Sequence, residues 1–118
     1  MRYIDRSFAT LMTGAYSFVC NYGSTDALLR RFQEMGGWNW SMGDSYWYGD
    51  YLACRPFPGV RIRIVDFPSS ASDAWKYDSD IRLSSPECIT PMPVIDEAYR
   101  KFLAQIPALQ IQEIEWFD

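Results

Sequence analysis

Residues 37–54 read GWNWSMGDSYWYGDYLAC, and how this stretch folds decides how the chain on either side of it can fold. It carries Trp38, Trp40, Tyr46, Trp47, Tyr48 and Tyr51 beside Asp44 and Asp50, and Gly43 and Gly49 interrupt it. A core strand has no use for so many rings with polar tips. Trp and Tyr join a large apolar body to one hydrogen-bonding end, which suits a surface that packs on the fold and still meets a wet partner. The glycines argue against one flat strand, so the stretch reads as a bent β-hairpin with Gly43 and Gly49 marking a turn and a bulge. Three uses of its rings remain open: core packing, a protein-binding face, or a platform for a sugar or other small ligand.

Immediately upstream, residues 24–35 predict a helix. Ser24 is the expected N-cap and Asp26 puts a negative charge in the first turn, where the helix dipole favours it. Leu28, Leu29, Phe32 and Met35 form its apolar stripe, and Gly36-Gly37 supplies the left-handed stop. Before it, residues 15–22 (AYSFVCNY) are rich in β-favouring side chains on both faces, as in a central strand.

Downstream, Arg55-Pro56-Phe57-Pro58-Gly59 is a turn. Residues 60–67 follow as a half-buried strand, with Val60, Ile62 and Ile64 on one side and Arg61 and Arg63 on the other. Residues 68–93, dense in Ser, Asp and Pro, read as loop with a short edge strand near 80–83. Residues 94–106 give a second helix, with Ile95, Ala98, Tyr99, Phe102, Leu103 and Ile106 at helical spacing. Asp96 and Glu97 fall in its first turn, and Pro107 ends it. The final LQIQEIEWF alternates with a phase break at Gln112-Glu113, where a bulge would keep Leu109, Ile111, Ile114 and Trp116 together.

Strand, helix, strand, strand, helix, strand is the order of an α+β ferredoxin-like split βαβ sandwich: an antiparallel sheet with two helices on one face, here with an extended aromatic hairpin. The alternative is another α+β layout in which the hairpin extends beyond a four-stranded core. At 118 residues the chain reads as one domain. Its 48% apolar and 22% charged composition is that of an ordinary globule.

Charge is uneven. Residues 1–67 hold seven Lys/Arg and six Asp/Glu, whereas residues 68–118 hold four against nine. An acidic second half disfavours direct nucleic-acid binding and attracts basic protein partners. No apolar run nears the roughly 20 residues of a membrane span. The start, with Arg2 and Arg6 interrupted by Asp5, makes a poor signal peptide, so a cytoplasmic location is expected. Cys20, Cys54 and Cys88 are odd in number and widely spaced, which predicts free thiols rather than a disulfide framework.

The chemistry open to the chain is narrow. It has no histidine, so Ser-His-Asp and Cys-His arrangements are excluded. Neither GxGxxG nor GxxxxGK[ST] occurs. Asp44 and Asp50 could pose as a glycosidase pair, but they read more simply as turn aspartates beside glycines. Asp73, Asp78 and Asp80 lack the glycine and closing glutamate of a calcium loop. The expectation is a non-enzymatic protein with no cofactor and no metal.

Trp75 and Tyr77 stand among Asp73, Asp78 and Asp80, which reads as a contact surface in a loop. With the stretch 38–51, the size and the acidity, this pattern resembles the immunity proteins of bacterial polymorphic-toxin and contact-dependent inhibition systems. That resemblance implies a small acidic protein that blocks the active site of a cognate, basic, nuclease-type toxin domain, working as a monomer or weak homodimer. The contact residues expected are Trp40, Tyr46, Trp47, Tyr48, Asp50, Trp75, Tyr77, Asp78 and Asp80.

Overall fold

The computed structural model describes residues 12–45, 49–67, 75–84 and 87–117. They form β1 (Thr13–Cys20), α1 (Thr25–Met35), β2 (Trp40–Ser45), β3 (Gly49–Cys54), β4 (Val60–Phe67), β5 (Trp75–Leu83), α2 (Met92–Ala104) and β6 (Gln110–Phe117). The class is α+β. Six strands make one sheet in the order β2-β3-β4-β5-β1-β6, and every neighbouring pair is antiparallel.

Local chemistry explains most of these boundaries. Ser24 caps α1 by accepting a hydrogen bond from the Ala27 amide at 3.1 Å, and Gly36 closes the helix at a φ of 73° that glycine adopts without strain. In α2 the helix begins at Met92, two residues earlier than the spacing predicted. Pro93 sits in its first turn, where the ring's fixed φ fits and the missing N–H costs nothing. Asp96, like Glu97, therefore falls beyond the first turn. Its carboxylate accepts from the Tyr16 hydroxyl at 2.5 Å and pairs with Arg100 at 3.1 Å.

The hairpin is present, with β2 and β3 in register from Trp40 opposite Cys54 to Ser45 opposite Gly49. Gly49, at a φ of 70°, opens β3. Gly43 is neither turn nor bulge. It lies within β2, and the Tyr51 ring from the opposite strand rests on its Cα, a contact that leaves no room for a side chain.

The main correction concerns β5. Residues 75–83 are not loop with an edge strand but a nine-residue strand in the sheet interior, flanked by β4 and β1. Its alternation is regular: Tyr77, Ser79, Ile81 and Leu83 are buried, while Lys76, Asp78, Asp80 and Arg82 face the other way. The polar member, Ser79, tolerates burial because its Oγ shares a 2.6 Å hydrogen bond with the Tyr99 hydroxyl of α2.

Both helices cover the same side of the sheet. Phe32 of α1 and Phe102 of α2 meet at 5.0 Å, and Trp38 stacks on Phe102 at 4.7 Å with an interplanar angle of 6°. Beneath them lie Tyr16, Phe18, Leu52, Ile62, Ile64, Tyr77 and Ile81, all buried. Each such side chain contributes about 1.5–3 kcal/mol through removal from water. Cys20 and Cys54 belong to this core and all three cysteines are free, as expected; burial pushes the Cys54 thiol up to about 11. Among the described residues no helix is long and apolar enough to cross a membrane.

Candidate functional site on the open sheet face

The side of the sheet away from the helices carries the chemistry. Strand alternation and register lay its residues out as a grid. One rung runs Arg63, Asp80, Ala15, Glu115 across β4, β5, β1 and β6; the next runs Val65, Asp78, Ser17, Glu113. On β1 the central residues are small, Ala15 and Ser17, and this lets the middle of the face sink into a groove. The groove has a volume of about 760 Å³, and its charged lining is Asp78, Asp80, Glu113 and Glu115 against Arg63.

The expected bulge in β6 builds one wall. Register shifts between Ser17 and Phe18, so that Gln112 is the extra residue between Ile111 and Glu113. Beyond it Glu113 and Glu115 point to the groove, while Trp116 packs on the helix side. There its indole Nε1 donates to the Tyr16 hydroxyl at 3.2 Å, and its ring lies against the Cα of Gly14. Tyr16 links three elements, since it also donates to Asp96. Burial and that hydrogen bond hold its phenol in the protonated form.

The electrostatics divide along the face. On the Asp80 rung, Arg63 donates from Nε and Nη2 to the two carboxylate oxygens at 3.3 and 3.2 Å, and its guanidinium also stands 5.9 Å from the centre of the Tyr51 ring. At the end of the face, Arg61 stands opposite Arg82, and burial together with the Arg63 and Arg82 charges lowers the Arg61 pKa. On the Ser17 rung, desolvation raises the Asp78 pKa; Lys76 opposes that shift and Glu113 adds to it. The Ser17 side chain is buried, and its Oγ has no hydrogen-bond partner among the described residues.

A stability prediction follows from Asp78. Its folded-state pKa lies above the ordinary 3.8, so ionisation is harder in the fold than in the unfolded chain. The penalty is absent below pH 3.8 and grows as pH rises through the folded-state pKa. Asp78→Asn removes it. The variant is expected to unfold at a higher urea midpoint than the parent at pH 7, with the gap closing toward pH 3. A gap independent of pH would show that the carboxylate is not responsible.

The expected contact residues do not form one surface. Asp78 and Asp80 lie on the open face. Trp40 is 3% exposed and Tyr77 0%, both in the core on the helix side. The Trp40 ring packs on Phe32 at 4.7 Å, and the Tyr77 hydroxyl donates to the Tyr22 carbonyl at 2.6 Å. These two rings cannot anchor a partner, because side-chain alternation in β2 and β5 turns them inward. Trp75 is 44% exposed, but it lies over Gly23 at the sheet's end and on the helix side. Asp50 is exposed at the start of β3. Tyr46, Trp47 and Tyr48 lie outside the described residues, as does Asp73. Trp40 lies in the core, and Trp38 is half-buried with one ring face stacked on Phe102, so neither ring stands free for a sugar platform.

Sequence reasoning missed Ser17, Arg63, Glu113 and Glu115 as site residues. A signal for the glutamates existed. The bulge that keeps Ile114 and Trp116 with the core also places Glu113 and Glu115 together on the opposite side. Nothing local connects them to Asp78, which is far away in sequence.

Comparison with known proteins adds little. No family model matches the chain, and no solved structure matches it. A stretch of 71 residues, 58% of the chain, is 32% identical to a protein of Physcomitrium patens described as Probable glucuronosyltransferase 47 A, of which it covers 14%. The chain thus spans about one-seventh of that relative's length, too small a share to place it in that protein's family.

Proposed function

We propose that this protein is a non-enzymatic, protein-binding inhibitor, an immunity protein that neutralises a cognate toxin domain by receiving a basic segment of it on the open sheet face. The observation that carries the reading is the groove, whose charged lining is four carboxylates and one guanidinium. Such a lining focuses a negative potential where the small residues of β1 let a partner approach the sheet. On the helix-covered side, by contrast, the large rings other than Trp75 are committed to packing on the core.

The proposed fold type is a ferredoxin-like split βαβ core with an insertion. Taken without β2 and β3, the remaining elements run β1, α1, β4, β5, α2, β6 with sheet order β4-β5-β1-β6. That order supports the reading, with the aromatic hairpin inserted between α1 and β4.

The test is to co-express the protein with the secreted-toxin domain encoded beside its gene and to score growth. Asp78→Lys combined with Glu113→Lys should abolish protection while leaving the folded state intact by circular dichroism. Association with the purified toxin domain should slow about tenfold or more at low salt. A neighbourhood without such a gene, or protection unchanged by the double reversal, overturns the proposal.

A further inference from the structure

We propose that the groove is built around a cation seat: one basic side chain of the partner places its ammonium or guanidinium above Ser17, between Asp78 and Glu113. This rests on the docking-face reading above and says what that face recognises.

Ser17 is 8% exposed, so more than nine-tenths of it is buried, and it lines the groove with an Oγ that no group among the described residues satisfies. A buried hydroxyl without a partner is a cost to the free protein. It is retained where a ligand completes it. Asp78 and Glu113 flank Ser17 on the two neighbouring strands at the same rung. With directly opposed Cβ atoms about 5 Å apart on each side, the Cβ atoms of Asp78 and Glu113 straddle Ser17 by about 10 Å. An Asp and a Glu reaching inward from that span leave room for one cationic head between them. Ser17 Oγ lies beneath as a third acceptor.

The neighbouring rung already displays the pairing that the seat would repeat. There Arg63 satisfies Asp80 through two hydrogen bonds. One rung along, Lys76 does not offset the desolvation of Asp78 and the repulsion from Glu113, so the carboxyl remains harder to ionise than usual. A cation from outside would relieve both at once. Among the described residues no group of three or more carboxylates or thiols is placed to hold a metal ion, which favours an organic cation with its own hydrogen-bond donors. Val65 and Ala15 in the lining give the methylene stem of a Lys or Arg an apolar path to the seat.

The probes are acetylated and amidated hexalysine and hexaarginine, titrated into the isotope-labelled full chain by NMR and followed by calorimetry, with hexacitrulline as a neutral control. Amide shifts should concentrate on residues 15–17, 78–80 and 113–115. Asp78→Asn with Glu113→Gln should weaken peptide binding tenfold or more, as expected for a charge-assisted pairing. Ser17→Ala should weaken it about threefold to tenfold and at the same time raise the thermal midpoint of the free protein. A merely structural serine would not show that opposed pair of effects. Glu34→Gln with Glu97→Gln, on α1 and α2, removes the same two charges on the other side of the molecule and should leave binding unchanged. If the cationic peptides shift the open face but bind the Ser17→Ala and Asp78→Asn/Glu113→Gln variants as tightly as the parent, the seat is wrong and the docking face stands. If they leave the open face unshifted, or hexacitrulline shifts it equally, both readings fall.

Discussion

Phe102→Ala is expected to lower the free energy of unfolding by about 3–5 kcal/mol, the range for deleting a buried aromatic ring. The ring stacks on Trp38, meets Phe32 edge-on at 5.0 Å and lies 5.7 Å from Trp40. Through these contacts it joins α2 to α1, to the segment between α1 and β2, and to the hairpin. Truncation leaves a cavity walled by three large rings, and stacked indoles cannot collapse into it without leaving their rotamers. Urea unfolding followed by tryptophan fluorescence measures the loss. A destabilisation below about 1 kcal/mol would mean that the helix layer is not held by this ring cluster.

Gly59→Ala should be the second most damaging change, at about 2–4 kcal/mol from backbone strain and overpacking combined. Gly59 has a φ of 71°, and a Cβ there would collide with the backbone nitrogen of Cys88, which cannot swing away as a side chain could. Its carbonyl also accepts from the Ser84 amide at 2.8 Å, and the Ser84 carbonyl accepts from Cys88 at 2.9 Å. These bonds tie the turn before β4 to the segment that leads from β5 into α2. The expected signature is a lower thermal midpoint with unchanged secondary structure at low temperature. A midpoint within about 1 °C of the parent would show that the Cys88 segment yields, since a loss of 1 kcal/mol already moves the midpoint by about 3–6 °C in a domain of this size.

Several elements were legible because their signals are local. Ser24 and Gly36 bracket α1 as capping chemistry requires, and the apolar spacing of Ile95, Tyr99, Phe102 and Leu103 recurs as the buried stripe of α2. The alternation of β4 and the phase slip in β6 survived intact, the latter as a bulge at Gln112. In β5 the reading failed. Its Ser, Asp and Lys residues resemble loop composition, yet Tyr77, Ser79, Ile81 and Leu83 alternate cleanly. Composition there points to loop where period points to strand, and Ser79 conceals the pattern because its burial depends on a hydroxyl partner in α2 that is 20 residues away. A loop reading of this segment puts Tyr77 on the surface, whereas the strand buries it.

Sequence alone thus determined both helices and every strand but β5, that the thiols are free, and that the chain is acidic with an aromatic hairpin. Those properties depend on residues within a turn or two of one another, where caps, propensities and periods operate. Only the tertiary structure decided which aromatic rings are core, that β5 is interior, and that Ser17 meets Asp78 and Glu113 on one rung. Strand pairing brings together residues that the chain itself keeps far apart, and a two-residue period settles which face each side chain joins only after the strand and its neighbours are known.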